Sequence, residues 1–322
     1  MAEKNRVSML SIAAPVVIAA VALALPRFGA SAYVEILVYY VAYYLCLGQA
    51  WNLMSGMTGY VSFAHGALAG IGGYAAVMAL NSEWPLAWGL LAGPAAAVVA
   101  SLVIGATSLR LSGVAFTFAT LFFQELALQA VRKIPATGGP GGLALQDIFP
   151  IWLPQALMIL LACVATILMA ATRQSRFGIR LLAIKGDESA ALALGVPAAR
   201  MKLIVFCVSA AIAGAAGAIH GLFTASLYPD VVFNVDVSLT ALAAPLIGGV
   251  ATASGPALGA VLFVGIGEIL EVYAPSFHTA AIGLLLLLVI LFMPAGLGPF
   301  LARRLRPRVE GPIKATIPES AR

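Results

Sequence analysis

The sequence predicts an all-α, polytopic membrane protein. Three features carry that prediction: 62% hydrophobic residues, only 10% charged residues, and apolar runs that recur along all 322 positions. A soluble domain uses about 25% charged residues to keep its surface wet. At a mean hydropathy of +1.01, most of this surface must face something other than water. Backbone in lipid satisfies its own hydrogen bonds, which leaves helices or closed barrels. The runs are about 20 residues long, enough to cross the hydrocarbon core. They are also too long and too rich in Ala and Leu for the alternation of about ten residues found in barrel strands.

About ten spans are expected by length, near residues 8–25, 33–54, 57–80, 86–108, 113–131, 151–171, 203–223, 237–250, 256–272 and 279–293. The eighth is short enough to be re-entrant. Residues 1–302 then form one membrane domain, with a polar segment at 173–202, and residues 303–322 form a basic tail. Lys and Arg set the orientation. Arg173, Arg176, Arg180, Lys185, Arg200 and Lys202 crowd the polar segment, and Arg303, Arg304, Arg306, Arg308 and Lys314 crowd the tail. Both regions are expected in the cytoplasm, which also places Lys4, Arg6 and Arg110 inside and Asp230 and Asp236 outside. Arg132 and Lys133 dissent, since this scheme puts them outside. Lys4 and Arg6 before an apolar run, followed by Ala30-Ser31-Ala32, also look like a signal peptide. The run exceeds a usual h-region and Pro26-Arg27 interrupts the approach, so a retained first helix is expected.

Several function classes fall away. The net charge of +5 comes from cytoplasmic loops rather than a nucleic-acid surface, because no basic stretch is interleaved with stacking aromatics. Cys46, Cys163 and Cys207 lie inside apolar runs without metal-ligand spacing or a disulfide framework. His65, His220 and His278 are far apart, with no HExxH or CxxC near them, so neither catalysis nor a metal or cofactor is expected. No GxxxxGK[ST] phosphate loop occurs, so the chain is not an ATP-driven motor by that route.

Glycines recur at helical spacing inside the spans. Gly59, Ser62, Gly66, Gly70 and Gly73 mark the third, and Gly214, Gly217 and Gly221 the seventh. Close helix packing accounts for such faces in lipid. Gly248-Gly249 and Gly255-Pro256 instead interrupt an apolar run, as in a broken helix beside a translocation path. Ser55-Gly56-Met57-Thr58-Gly59 is a similar interruption in the first half. Among intramembrane polar residues, Glu125 in the fifth span has a functional and a structural reading, since a charge at mid-bilayer must face a cavity, a partner or an interface. His65 likewise either lines a path or bonds a neighbouring helix, while His220 and Glu268 read as structural. Asn52 reads as a cap or turn residue.

The segment 176–202 is too polar to span the bilayer. Gly178 to Lys185 is expected to form two helical turns, with Ile179, Leu182 and Ala183 on one face. Asp187 is the expected N-cap of a second helix, 188–194. Gly195 supplies its C′ position and Pro197 blocks continuation. On these grounds alone it is either a solvated loop that sets topology or a compact element that receives a push from a soluble motor.

FGIRLLAIKGDESAALALGV (177–196) resembles the cytoplasmic coupling segment of the branched-chain amino-acid family of ABC permeases. Other stretches match the family in the same order: WNLMSGMTGYVSFAHGALAGIGGYAA, FTFATLFFQE followed by TGGPGGL, AAIAGAAGAIHG, IGGVATASGPALGA and LFMPAGLGPF. The resemblance covers roughly residues 35–300, and the TGG–GL block points to the M-type subunit. It implies a type II-like ABC importer fold in the bacterial inner membrane, both termini cytoplasmic and membrane lipid around it. The implied partners are an H-type permease subunit, two ATP-binding subunits that hydrolyse the ATP, and a periplasmic substrate-binding protein. Arg176, Gly178, Arg180, Ala183, Lys185, Asp187, Glu188 and Gly195 then become ATPase-coupling candidates. Gly59, Ser62, His65, Glu125, Gly248 and Gly249 become translocation-path candidates. The chain departs from the family at Ile184-Lys185-Gly186-Asp187-Glu188, where Ile-Arg-Glu-Asn/Asp-Glu is expected. Gly186 removes one acidic side chain there, which bears on the ATPase contacts and not on the role. An ion-gradient-driven carrier is the alternative, but few acidic residues lie well inside spans to hold a coupling ion.

Overall fold

The computed structural model describes residues 31–273 except 110 and 112, with a few positions between 280 and 297. The expected first span, most of the tenth, Arg110 and the basic tail fall outside those residues. Helix α1 (Ala32–Trp51) continues into a π-helical turn, Asn52–Gly56. It is followed by α2 (Ala64–Asn81), α3 (Leu86–Ser108) and α4 (Val114–Lys133). Two 3-10 turns and a short strand β1 (Leu143–Ala144) lead to α5 (Trp152–Gln174). Two short helices, α6 (Arg176–Gly186) and α7 (Glu188–Ala193), precede the long α8 (Ala198–Thr224). The chain continues through β2 (Ser226–Leu227), α9 (Pro229–Val232), α10 (Val235–Gly248) and α11 (Gly255–Tyr273).

Six stretches among the described residues are long and apolar enough to cross a membrane: α3, α4, α5, α8, α11 and the joined α9–α10 segment Pro229–Gly248. Helices α1 and α2 occupy the middle of the bundle. α2 lies against α3 and α8, and α1 lies against α5, α8, α10 and α11. Large side chains on α3 and α4, including Trp88, Val103, Phe122 and Leu126, remain exposed, as expected of faces turned to lipid or to another subunit.

Three helices approach at backbone distance. A Cβ on Gly72 would lie 2.3 Å from the Gly214 carbonyl oxygen, and one on Gly217 only 1.8 Å from that of Ala69. Apolar burial gives little drive between helices in lipid, so small faces that admit close contact hold α2, α3 and α8 together. The seventh-span glycines therefore serve packing.

The third span differs from expectation. Residues 52–58 extend the second span, Gly59 (φ +80°) ends it, and α2 begins only at Ala64. Gly59 and Ser62 thus precede the helix on which they were expected. Gly66 and Gly70 face Ser238 and Phe233 of the α9–α10 region. The eighth span is lengthened by α9: Asn234 breaks it and caps α10, its side chain accepting from the Asp236 amide at 3.0 Å.

At the end of the bundle remote from α6–α7, Leu143 and Ala144 pair antiparallel with Leu227 and Ser226. Gly142 there has φ +79°, and a Cβ would stand 2.4 Å from the Leu227 carbonyl oxygen, so the last glycine of TGGPGG fits where no side chain does. Arg132, the charge that dissented from the orientation rule, forms an ion pair with Asp230 at this end.

Candidate coupling and translocation site

The polar segment folds into a helix–turn–helix capped by its own side chains. Ser175 accepts from the Gly178 amide at 3.1 Å and starts α6. Asp187 accepts from the Ala190 amide at 3.0 Å and starts α7, as its position before an Ala-rich run predicts. Gly195 (φ +81°) follows α7, and the Val196 amide closes back on the Ala191 carbonyl at 3.0 Å. The face that carries Ile179, Leu182 and Ala183 is not the inward one: Gly178, Leu181, Ile184 and Ala191 are buried. The reason is Gly178. A Cβ there would lie 2.0 Å from the Thr172 carbonyl oxygen, so the glycine turns towards the end of α5 and rotates Ile179 out. Arg176, Arg180 and Ala183 are exposed, together with Ile179 (62%), Leu192 (53%) and Leu194 (84%). A Cβ on Gly186 would meet nothing within 4 Å, so the departure from the family pattern leaves open space and no clash.

Two anchors join this element to the bundle. Lys185 Nζ donates to the Gly56 carbonyl at 2.8 Å, at the end of the π-helical turn. Gly59 lets the lysine pass, since a Cβ on it would be 3.2 Å from Lys185 Cγ. Burial holds the Lys185 ammonium below its usual pKa. The second anchor is Glu188, which pairs with Lys202 Nζ at 2.8 Å and accepts from the Tyr60 hydroxyl. Lys202 also lies 4.2 Å from the Tyr60 ring centroid, a cation–π contact, and its side chain is 3% exposed. Burial alone would raise the Glu188 carboxyl, but hydrogen bonds from Lys202 and Tyr60 and the lysine charge outweigh it and hold it below the ordinary value.

Deeper in the bundle, the start of α2 is buried and its amides are satisfied by side chains. Thr120 accepts from Phe63 N at 3.0 Å, Ser62 from Ala64 N at 3.2 Å, and Ser238 from Gly66 N at 2.9 Å. Ser238 also donates to the Phe63 carbonyl at 2.6 Å and lies beside Gln124, whose Nε2 donates to Phe233 O. His65 is fully buried with its ring edge-to-face on Phe206. Neither ring nitrogen makes a hydrogen bond of good geometry among the described residues, although the backbone of Ser62 and Ala50 lies close.

The two interruptions noted in the sequence meet. Asn52 Nδ2 donates to the Thr252 carbonyl at 2.8 Å, and its Oδ1 accepts from the Ala251 amide at 2.7 Å. Gln49 Nε2 adds a bond to the Ala253 carbonyl at 2.7 Å. Asn52 was expected to be a cap or turn residue, and it does open the π-helical turn. It is also a fully buried bridge between breaks.

A family model described as the permease component of branched-chain amino acid transport systems matches residues 33–293. The chain belongs to that family. The match takes in both interruptions, the α6–α7 element and every anchor described above. The permease is 28% identical over 302 residues to the high-affinity branched-chain amino acid transport system permease protein LivM of Salmonella typhimurium, covering 82% of this chain and 69% of that one. Its identity to LivM of Escherichia coli is also 28%, with the same coverage. It is 25% identical to LivH of Escherichia coli, covering 79% of this chain and 90% of that one. No solved structure matches.

Among the permease's path candidates, Ser62 and His65 belong to the buried polar layer. Gly248 packs on Gly255, where a Cβ would be 1.7 Å from the carbonyl oxygen, and Gly249 (φ +137°) opens the second break. Gly59 lies against Lys185 of α6. Glu125 stands apart: it is exposed on α4 and accepts from Gln129 at 2.7 Å, while its neighbour Gln124 takes the interior position. The sequence reading missed Gln124, Ser238, Gln49, Tyr60 and the anchoring role of Lys202. Gln124 beside Glu125 and Ser238 between Asp236 and Thr240 each share an apolar run with other polar residues, so nothing in the sequence set them apart.

Proposed function

We propose that this chain is the M-type permease subunit of an ATP-driven importer that moves branched-chain amino acids or a related small polar solute across the bacterial inner membrane. The observation that carries the reading is the α6–α7 element, which offers Arg176, Ile179, Arg180, Leu192 and Leu194 to the outside while Lys185 and Glu188 key it to the bundle. Exposed apolar side chains flanked by arginines suit docking onto a soluble partner. The opposite attachment gives that docking a route to the helix breaks. An ion-driven carrier would have no use for such an element, and membership of the permease family sets it aside.

In this proposal the subunit crosses the membrane ten times, with 1–302 as the membrane domain, 303–322 as a cytoplasmic tail, and both termini inside. It pairs with an H-type permease, two ATPase chains bind below, and a periplasmic protein delivers the solute. ATP hydrolysis belongs to those partners. Closure of the ATPases displaces α6–α7, and the Gly-packed bundle rocks about its breaks in alternating access. Glu125, exposed part-way along a membrane-spanning helix, faces the path or the sister permease, because a carboxylate turned to lipid costs about 2.5–3.5 kcal/mol.

Affinity purification of the tagged chain from detergent-solubilised membranes tests the assembly, with mass spectrometry of what accompanies it. A second permease and two ATPase chains are expected. Ile179→Asp and Arg180→Glu should abolish ATPase recovery while the permease pair survives. A chain that purifies alone and transports without ATP would sink the importer reading.

A further inference from the structure

Three consecutive residues of the break between α10 and α11 are each held by a side chain from the end of α1. Ala251 N and Thr252 O bond the two ends of the Asn52 amide, at 2.7 and 2.8 Å. Ala253 O bonds Gln49 Nε2 at 2.7 Å. Asn52 and Gln49 are both 0% exposed, so water does not replace these bonds. An Asn side chain that donates and accepts at once towards neighbouring backbone groups imitates a strand pairing and fixes orientation as well as distance. Ala251 is held at φ +58°, a conformation that a residue with a Cβ keeps only when its surroundings impose it.

The other side of the same turn faces the coupling element. Asn52 opens the π-helical turn and Gly56 closes it. Gly56 gives its carbonyl to Lys185 at 2.8 Å. It also sits directly against the bridge, since a Cβ on it would be 2.2 Å from Asn52 Oδ1 and 3.2 Å from the Ala251 amide nitrogen. A continuous set of contacts therefore runs from α6 through Lys185, Gly56 and Asn52 to the start of α11. π-Helical turns widen the backbone spiral by one residue and concentrate at functional sites, and Asn52 is the first residue of this one.

We infer that Asn52 is a positioning residue for transport: it fastens the 249–254 break to the π-turn, so that displacement of Lys185 by the motor is delivered to α11. The inference rests on the importer reading above. Asn52 touches neither ATP nor, in this proposal, the solute. Its role is transmission, and transmission is measured by the solute moved per ATP hydrolysed.

The test uses the complete importer, co-expressed with its sister permease and ATPases, reconstituted into liposomes with its binding protein and radiolabelled leucine. Asn52→Ala removes both bonds. Lys185→Met cuts the chain one step nearer the motor. Asn52→Ala and Lys185→Met should each lower leucine moved per ATP about tenfold, the scale of a typical coupling between sites. The Asn52→Ala/Lys185→Met double variant should be no worse than the worse single one, because both interrupt one route. Additive losses would make the two residues independent and overturn the inference. So would an unchanged ratio in Asn52→Ala, or losses that merely track the amount of assembled complex recovered on size exclusion. Failure of the wild-type complex to couple leucine uptake to ATP would instead remove the importer reading, and the arms are thereby distinguishable.

Discussion

Glu188 holds its carboxylate between Lys202 and the Tyr60 hydroxyl, which places its folded pKa below the ordinary 4.5. The fold thus favours the ionised form: its contribution is complete above the unfolded value and is lost as pH falls through the folded one. Glu188→Gln is expected to cost on the order of 1 kcal/mol near neutrality, a modest figure because the pair is partly screened by solvent. The gap to wild type should narrow as pH falls below 4.5 and close only below the folded value. Thermal unfolding in detergent at stepped pH checks this, and a constant gap would assign the effect to shape rather than charge. Asp187 was legible as a cap because capping is local, a matter of three residues. Asn52 was not, because its partner amide lies 199 positions away and nothing in a five-residue neighbourhood distinguishes a bridge from a cap. Lys202 was legible as a positive charge of the loop and not as an anchor, for the same reason.

At the scale of elements, α6 shows that the face holding its bulky apolar Ile179 is not the face it buries. Periodicity selects large apolar side chains for burial, which picks Ile179. The structure buries Gly178 instead, where close approach to Thr172 matters more than hydrophobic area. The exposed Ile179 is then informative, since a bulky apolar residue left on the outer face of a polar helix marks a contact surface. Gly178→Ala puts a methyl group 2.0 Å from a backbone oxygen and should cost about 1–3 kcal/mol as the element shifts away from α5. Gly186→Glu, which restores the acidic residue of the family pattern, enters open space and should change stability by less than about 0.5 kcal/mol. Fluorescence-detected size exclusion after a heat step ranks the two. Equal destabilisation would mean that Gly178 is not held where the contacts put it. The breaks were legible as interruptions of apolar runs, but their meeting was not: composition reveals that a helix stops, and only tertiary structure reveals what fills the gap.

Across the whole molecule, the fold class followed from composition, and the orientation argument left one contradiction, Arg132 and Lys133 on the outer side. Arg132 pairs in the folded chain with Asp230, an acidic residue that the same scheme also places outside. The pair, β1–β2 and the 3-10 turns all lie at one end, and α6–α7 at the other, separated by the 20 residues of α4. This arrangement makes topology testable with two positions. Ile148 (87% exposed) belongs to the first end and Leu194 (84% exposed) to the second. With Cys46, Cys163 and Cys207 replaced by alanine, Ile148→Cys should react with a membrane-impermeant maleimide in right-side-out vesicles. Leu194→Cys should react only after the vesicles are opened. The reverse pattern would place α6–α7 away from any cytoplasmic ATPase. The exposed arginines and leucines of that element would then have no motor to meet, and the charge distribution of the chain would have to be explained without one.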